Sequence, residues 1–254
     1  MSKQTSDRAG DGLAIRGNNL LAALRSNDAA LLGPLAQEQV LRAQTVLYEP
    51  GDRVRFVYFP CGPSLVSFVV PLQDGRAVEI VTVGREGAVG GIVSQGQLSA
   101  FSRTVVVVGG PFLRIEAAHL ERAKLASLAL RHLFARYADC LLAQVFQSVA
   151  CNAAHTIEQR AAKWLLAALD HTGESEVPLT QEQFAAMLGV GRSYISRVVQ
   201  TLKAQGALAT SRGRLRISDA EVLRGLTCGC NDAVRAHFER VLEGVYPAEE
   251  DADA

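Results

Sequence analysis

Basic side chains are concentrated in one short part of this chain, between Thr180 and Ile217. With six arginine or lysine residues and a single acid, Glu182, this segment carries a net charge of +5, whereas the 254-residue chain as a whole is neutral. The six basic residues are Arg192, Arg197, Lys203, Arg212, Arg214 and Arg216. A basic segment of this density in a neutral protein indicates contact with an anionic polymer.

The spacing within this segment predicts a helix-turn-helix. Thr180 and Gln183 form a T-x-x-Q capping box, which starts a helix. Gly189 follows after two helical turns, where the chain must turn sharply, and glycine accepts the positive φ of such a turn. The small side chain of Ala185 lets a second helix cross closely. An ordinary helical hairpin is the alternative. The residues predicted to face the core are Phe184, Leu188, Val190, Ile195, Val198 and Leu202.

Candidate nucleic-acid contacts lie on the outer face of the second predicted helix. The first residues of such a helix enter the DNA major groove, where an arginine can bind O6 and N7 of guanine. Arg192 and Arg197 are therefore the predicted base contacts. A β-hairpin, or wing, is predicted around Gly213, and its residues Arg212 and Arg214 suit phosphates. The other predicted DNA contacts are Thr180, Gln181, Ser193, Tyr194 and Lys203.

The upstream part of the chain predicts antiparallel β structure. Between residues 45 and 116, six short runs rich in β-branched and aromatic residues alternate with glycine and proline turns, which is typical of a compact barrel or roll. The predicted strands are Thr45–Tyr48, Arg55–Phe59, Leu65–Val70, Val78–Val83, Thr104–Val108 and Phe112–Ile115. Leucines at helical spacing between Asn18 and Leu35 predict one or two short helices before the strands.

A long helix is predicted next, followed with little break by a second helical stretch from His155 to Asp170, because the chain from Ser127 to Asp170 contains neither glycine nor proline. Apolar residues recur there at steps of three and four and form one stripe. Its members are Leu130, Phe134, Tyr137, Leu141, Val145 and Val149, and Leu133, Leu142 and Phe146 widen it. A helix this apolar needs cover on both sides, and a second copy of the same helix is the simplest partner. A helix buried wholly within one chain is the alternative.

These segments divide the chain into four parts. We expect a sensor-like β-roll with N-terminal helices at residues 1–125 and a dimerisation helix at 126–152. A winged helix-turn-helix domain is expected at 153–246, and a tail with four acids and no base at 247–254. The predicted fold class is α+β, with an N-terminal antiparallel roll and a C-terminal winged helix-turn-helix.

The order of these parts resembles the Crp/Fnr family of bacterial transcription regulators. The resemblance covers roughly residues 18–226, and in the roll it rests on the segments Tyr48–Asp52, Val57–Pro60 and Gly84–Gly90. It implies a cyclic-nucleotide-binding-like roll that receives a signal. It also implies a homodimer that binds double-stranded DNA at a two-fold symmetric site, with RNA polymerase as a further partner.

The resemblance extends in part to the second helix of the motif. The family's cyclic-AMP-responsive regulator carries an Arg-Glu-x-x-x-Arg arrangement there. This chain retains both arginines, as Arg192 and Arg197, but has Ser193 in place of the glutamate that reads cytosine. We therefore expect a different target sequence.

The residues that hold a cyclic nucleotide in this family are missing from the roll. Gly91 occupies the position of the ribose-binding glutamate, and Ala100 occupies that of the phosphate-pairing arginine. The nearest arginine, Arg103, lies three residues after that position. A buried phosphate without its cation is strongly destabilising, so we predict that cyclic AMP is not the effector. The effector is left open between an acidic metabolite, an apolar molecule and none. The candidate effector contacts are Gly90, Gly91, Arg103, Val145 and Phe146.

The five cysteines do not match a disulfide framework or an iron–sulfur site. Cys151 with His155, and separately Cys228 with Cys230, could bind a metal only with help from other ligands. Ordinary packed thiols are favoured for both pairs. We therefore expect no metal site and no cofactor.

The sequence also bears on whether the chain is an enzyme or a membrane protein. The chain lacks the residue patterns of common hydrolases and nucleotide-binding enzymes, so we expect no catalytic activity. The polar segment from Met1 to Asn19 lacks a signal core, and no run approaches the ~20 apolar residues that cross a bilayer, so we expect a cytoplasmic protein without a membrane partner. The alternatives are a regulator that acts through protein partners and an enzyme whose helix-turn-helix is incidental.

Overall fold

The computed structural model describes residues 17–75, 77–91 and 99–243. These residues form a roll of two antiparallel sheets, a long helix that leaves the roll, and a helical domain with a small three-stranded sheet. The acidic tail predicted at 247–254 lies outside the described residues, as do residues 1–16 and Ile92.

The roll is built from seven strands within the described residues. They are β1 (Gln37–Leu41), β2 (Val46–Tyr48), β3 (Phe56–Pro60), β4 (Leu65–Pro71), β5 (Ala77–Val83), β6 (Arg103–Val108) and β7 (Gly110–Glu116). One sheet has the order β1-β7-β3 and the other the order β2-β6-β4-β5, with every pairing antiparallel. A core that includes Tyr58, Val66, Val106 and Phe112 joins the two sheets.

All six predicted strands are present, and the structure adds a seventh, β1. Its residues Gln37 and Glu38 are exposed, Gln39 is half-buried, and only Leu41 is buried, so the segment has no apolar alternation to reveal it. Main-chain pairing with β7 holds the segment in place. When a strand is stabilised mainly by pairing with a distant segment, its own sequence need not show a strand pattern.

Helices flank the roll on the side of its three-stranded sheet. They are α1 (Asn19–Ala22), α2 (Ser26–Leu32), α3 (Ala117–Ala126) and α4 (Leu128–Ala154). The first half of α4 buries Leu130, Leu133 and Phe134 in a cluster with roll residues. The Tyr137 hydroxyl accepts a hydrogen bond from the Ala88 amide at 3.1 Å and donates one to the Ala88 carbonyl at 3.2 Å. This part of the predicted stripe is thus covered by its own chain.

The C-terminal domain begins immediately after α4. Its elements are α5 (Ile157–Thr172), β8 (Glu176–Val177), α6 (Gln181–Leu188), α7 (Arg192–Ala204), β9 (Leu208–Ser211), β10 (Arg214–Ile217), α8 (Ala220–Leu226) and α9 (Cys230–Leu242). A capping box of Thr156 with Gln159 separates α5 from α4. The final helix, α9, was not predicted as an element and packs back against α4.

The fold class is therefore the predicted one, α+β with an antiparallel roll, a long helix and a C-terminal winged helix-turn-helix. None of the helices in the described ranges combines the length and the hydropathy needed to cross a membrane.

Candidate nucleic-acid interface

The predicted helix-turn-helix is formed by α6 and α7. Gly189 ends α6 with φ of +70°, and the Val190 amide donates a 3.0 Å hydrogen bond to the Ala185 carbonyl. Ala185 is buried, as the close helix crossing requires. Ser196 of α7 donates a 2.8 Å hydrogen bond to Gln181 of α6, which fixes the two helices together. The turn predicted from the sequence is confirmed.

Helix α7 has one buried face and one exposed face. Its buried residues are Ile195, Val198, Val199 and Leu202. Arg192 and Ser193 are exposed in its first turn, followed by the exposed Tyr194 and Arg197. The Arg197 guanidinium lies over the Tyr194 ring at 5.2 Å from its centroid, which orients both side chains. Arg192 makes no ion pair or side-chain hydrogen bond with the rest of the described chain, so its five donors face solvent.

The wing is formed by β9 and β10, which pair Ser211 with Arg214 around a two-residue turn. Arg212 is exposed at this turn, and Gly213 adopts φ of +73°. Arg214 is also exposed but forms an ion pair with Glu176, so part of its charge is already neutralised. The wing predicted from the sequence is present, and its two arginines differ in their surroundings.

The remaining predicted DNA contacts lie at the ends of α6 and α7. Thr180 is exposed, and its hydroxyl accepts a hydrogen bond from the Gln183 amide as the cap of α6. Lys203 is exposed in the last turn of α7, where its ammonium donates a 3.4 Å hydrogen bond to Thr210. The helix-turn-helix thus brings the predicted residues onto one small subdomain.

The five predicted effector contacts are spread over the roll and α4. A Cβ on Gly90 would lie 2.5 Å from the Phe56 carbonyl oxygen, so this glycine allows the main chain to approach closely. Gly91 follows it in the same turn. Arg103 forms a 3.2 Å ion pair with Glu49. Val145 is half-buried against the roll core, and Phe146 is 63% exposed. None of the five lines either main cavity of the described structure.

A cavity of about 370 Å³ lies between the roll and the C-terminal domain. Residues of β5, α4, α5, α6 and α9 line it, and many of them are charged or polar. The helix-turn-helix also touches the roll directly, because a Cβ on Gly189 would lie 3.3 Å from Cγ2 of Val78. The sequence did not indicate this contact between the two domains.

Glu79 of β5 connects the roll to α5 at one side of this cavity. Its carboxylate accepts hydrogen bonds from Nε1 of Trp164 at 2.5 Å and from the Ser67 hydroxyl at 2.7 Å. Burial raises the pKa of this carboxyl to about 7, although the two hydrogen bonds and the charges of Lys163 and His171 oppose the shift.

A second carboxylate of the roll also pairs with a residue of α5. Glu86 of the roll lies 2.8 Å from Nδ1 of His171 in α5. Burial alone would raise the pKa of the Glu86 carboxyl, but the charge and hydrogen bond of His171 lower it. Burial alone would lower the pKa of His171, and Glu86 raises it instead. The pair is therefore held in its ionised form.

The free energy of unfolding of the wild-type chain should fall as the pH rises from about 4.5 to about 7, because of Glu79. Replacing Glu79 by glutamine should abolish this fall. In that window folded Glu79 holds a proton that the unfolded chain has released, so stability falls as pH rises. Glutamine stays neutral and can still accept from Trp164. We expect the variant to exceed wild type at pH 8 by at most about 3 kcal/mol, and by much less at pH 5.

Urea denaturation of both proteins at the two pH values measures this difference. The Glu86–His171 pair is present in both chains, so the two proteins are compared with each other at each pH. A stability difference independent of pH would contradict the assignment.

The comparisons with known proteins agree with this geometry. Residues 159–226 match the family model of the Crp-like helix-turn-helix domain. No curated protein matches the chain in sequence. FixK2 from Bradyrhizobium japonicum superposes with a TM-score of 0.63 at 17% identity, over 76% of this chain and 98% of that one.

Two further solved structures share the fold. A CRP-family transcriptional regulator from Thermus thermophilus has a TM-score of 0.62 at 20% identity, over 74% of this chain and 95% of its own. The global regulator CLP from Xanthomonas campestris has a TM-score of 0.59 at 15% identity, over 77% and 100%. Residues 159–226 thus match a Crp-like helix-turn-helix domain, and over about three quarters of its length the chain shares the fold of solved Crp/Fnr-family regulators, which confirms the resemblance found in the sequence.

Proposed function

We propose that this chain is a transcription regulator that binds specific DNA sequences as a homodimer on a two-fold symmetric site. The exposed, unpaired Arg192 at the start of α7 carries the proposal. Because the opposite face of α7 is buried in the domain, the helix can enter a major groove only with this end and this face. Such a regulator would act in the cytoplasm together with RNA polymerase.

The surroundings of each arginine suggest its role. Arg192 is free to donate two hydrogen bonds to guanine, whereas Arg197 is held in position by Tyr194. Arg212 at the exposed wing turn suits a phosphate, which any DNA sequence offers. Arg214 is the weaker phosphate contact, because its ion pair with Glu176 must loosen first.

The second half of α4 supports the proposed homodimer. Leu142, Phe146 and Val149 are 49%, 63% and 63% exposed, although a monomer in water would gain by burying them. They follow one another along α4 at steps of four and three residues. This spacing is the 3.5-residue repeat of a two-helix coiled coil. We call these three residues the α4 seam.

The signal that controls DNA binding differs, we propose, from cyclic AMP. Gly90 and Gly91 offer no carboxylate for a ribose, and the guanidinium of Arg103 is engaged by Glu49. Titration calorimetry with cyclic AMP tests the point. Saturable heat with micromolar affinity, abolished in Arg103→Ala, would show that the roll retains a nucleotide site.

Selection of bound sequences from random DNA tests the function as a whole. We expect an inverted-repeat site whose affinity falls steeply with salt, because phosphate contacts release counterions. Retention of no sequence above background, by a protein that is folded and dimeric, would instead favour a regulator that acts through protein partners.

Arg192→Ala and Arg212→Ala should have different effects on the selected site. Loss of Arg192 should cost about 1–3 kcal/mol and relax the preference at one base pair in each half-site. Loss of Arg212 should weaken binding to all sequences alike and reduce the salt dependence by about one phosphate contact per chain. The measurement is a repeated selection with each variant. If Arg192→Ala selects the wild-type bases, the residue does not read sequence.

A further inference from the structure

Two pairs of potential metal ligands, far apart in the sequence, meet at the end of α4. Cys151 lies in the last turn of α4 and His155 directly follows this helix. Cys228 precedes α9, and Cys230 is its first residue. The three sulfur atoms and a ring nitrogen of His155 all lie within 4.8 Å of one another. The three thiols are buried.

Two of the distances within this group match those around a single tetrahedral ion. The Sγ atoms of Cys151 and Cys228 are 3.7 Å apart, and Sγ of Cys230 lies 3.6 Å from Nδ1 of His155. At Zn–S and Zn–N bond lengths of about 2.3 and 2.0–2.1 Å, a tetrahedral ion places two thiolates about 3.8 Å apart and a thiolate about 3.6 Å from an imidazole nitrogen. We propose that Cys151, His155, Cys228 and Cys230 bind one Zn²⁺ ion.

A disulfide and an iron–sulfur cluster both fit these distances less well. Cys151 and Cys228 are free thiols whose sulfur atoms lie 3.7 Å apart, whereas a disulfide bond holds two sulfur atoms at about 2.05 Å. The ligands of an iron–sulfur cluster are divided between two or four iron atoms with sulfide between them, so a complete set of four spreads further than the 4.8 Å of this group. Thiolates with one imidazole in tetrahedral order are the ligand set of structural zinc sites.

Residues around the cluster supply what a metal site needs beyond its ligands. The Gln147 side-chain amide donates a 3.1 Å hydrogen bond to Sγ of Cys230 and so orients this ligand. Asn231 donates a 2.9 Å hydrogen bond to the Lys163 carbonyl and ties the start of α9 to α5. Cys230, Gln147 and Lys163 all line the cavity between the roll and the C-terminal domain, which provides an entry path for the ion.

The position of the ion gives it a regulatory role, and this step rests on the proposed function. His155 lies between the dimerisation helix and α5, the first helix of the DNA-binding domain. A bound ion would fasten α9 to this junction and fix the angle at which α5 leaves α4. Removal of the ion would free that angle, so the spacing of the two recognition helices in a dimer would vary and DNA affinity would fall.

The reduced full-length protein, purified without added chelator, tests the site in its wild-type form. We expect one zinc ion per chain by elemental analysis. X-ray absorption should give three sulfur donors at about 2.3 Å and one nitrogen donor. Cobalt in place of zinc should give the visible bands of a tetrahedral ion together with a thiolate charge-transfer band. A chain that binds neither metal after reduction, or one in which Cys151 and Cys228 form a disulfide under these conditions, would overturn the proposal.

Variants separate these ligands from the other cysteines. Cys228→Ala and His155→Ala should lose the cobalt spectrum or bind the ion far more weakly, and Gln147→Leu should weaken binding about 10- to 100-fold. Cys61→Ala and Cys140→Ala are matched controls, because both thiols are buried elsewhere and should leave metal content unchanged. Equal loss of metal in the controls would refute the assignment. A zinc-loaded chain that binds no DNA would refute the proposed function and leave the metal site standing.

Discussion

Phe146→Glu should convert the proposed dimer into a monomer and lower affinity for the selected DNA site by at least about a hundredfold, because one half-site then binds alone. Phe146 lies in the middle of the α4 seam and is 63% exposed in the single chain. Across a two-fold axis the residue meets its own copy or a close neighbour of it, so the substitution places two carboxylates in an apolar contact. Sedimentation and DNA titration measure the two effects.

Arg136→Glu is the matched control for this experiment. Arg136 is also exposed on α4, but it lies roughly a quarter-turn around the helix axis from Phe146. Its reversal of charge should leave the chain dimeric. A wild-type chain that sediments as a monomer at micromolar concentration, or a Phe146→Glu chain that remains dimeric, would contradict the α4 seam.

Gly87→Ala should destabilise the protein by about 3–5 kcal/mol, a large fraction of the stability of an ordinary domain. A Cβ on Gly87 would lie 2.1 Å from the Tyr137 hydroxyl oxygen. The ring of Tyr137 is fully buried and cannot swing away. Its two hydrogen bonds with Ala88, which fasten α4 to the roll, would therefore break. The midpoint of urea denaturation measures the loss.

Gly225→Ala supplies the contrast for the same measurement. Gly225 lies in α8, and a Cβ there would meet no atom within 4 Å. Alanine favours a helix over glycine, so this variant should be at least as stable as wild type, by up to about 1 kcal/mol. Equal destabilisation by the two substitutions would show that crowding at Tyr137 is not the cause.

The apolar stripe of α4 illustrates what periodicity predicts and where it stops. The steps of three and four residues were sufficient to predict the helix itself. Periodicity does not say which cover each residue receives. The structure buries Leu130 and Tyr137 in the same chain and leaves Phe146 and Val149 exposed, because the roll ends partway along the helix.

The helix-turn-helix is readily predicted from the sequence. Its capping box, its turn glycine and its inward apolar positions act over fewer than about ten residues, so each can be recognised locally. The exposure of Arg192 follows from the same spacing. The neutralisation of Arg214 by Glu176 does not, since β8 must first pair with β10 to bring the two together.

By itself, the sequence determined the order of the parts, the fold class and the residues of the helix-turn-helix, because those depend on local spacing. Only the tertiary structure decided which residues act across long separations. Glu79 meets Trp164 through the packing of the roll on α5. Cys151 meets Cys228 only because α9 folds back along α4. In the sequence each cysteine pair is an incomplete ligand set, for which ordinary packed thiols are the favoured interpretation. A metal ion needs four donors at one point in space, and helix packing, which no local pattern encodes, supplies that point.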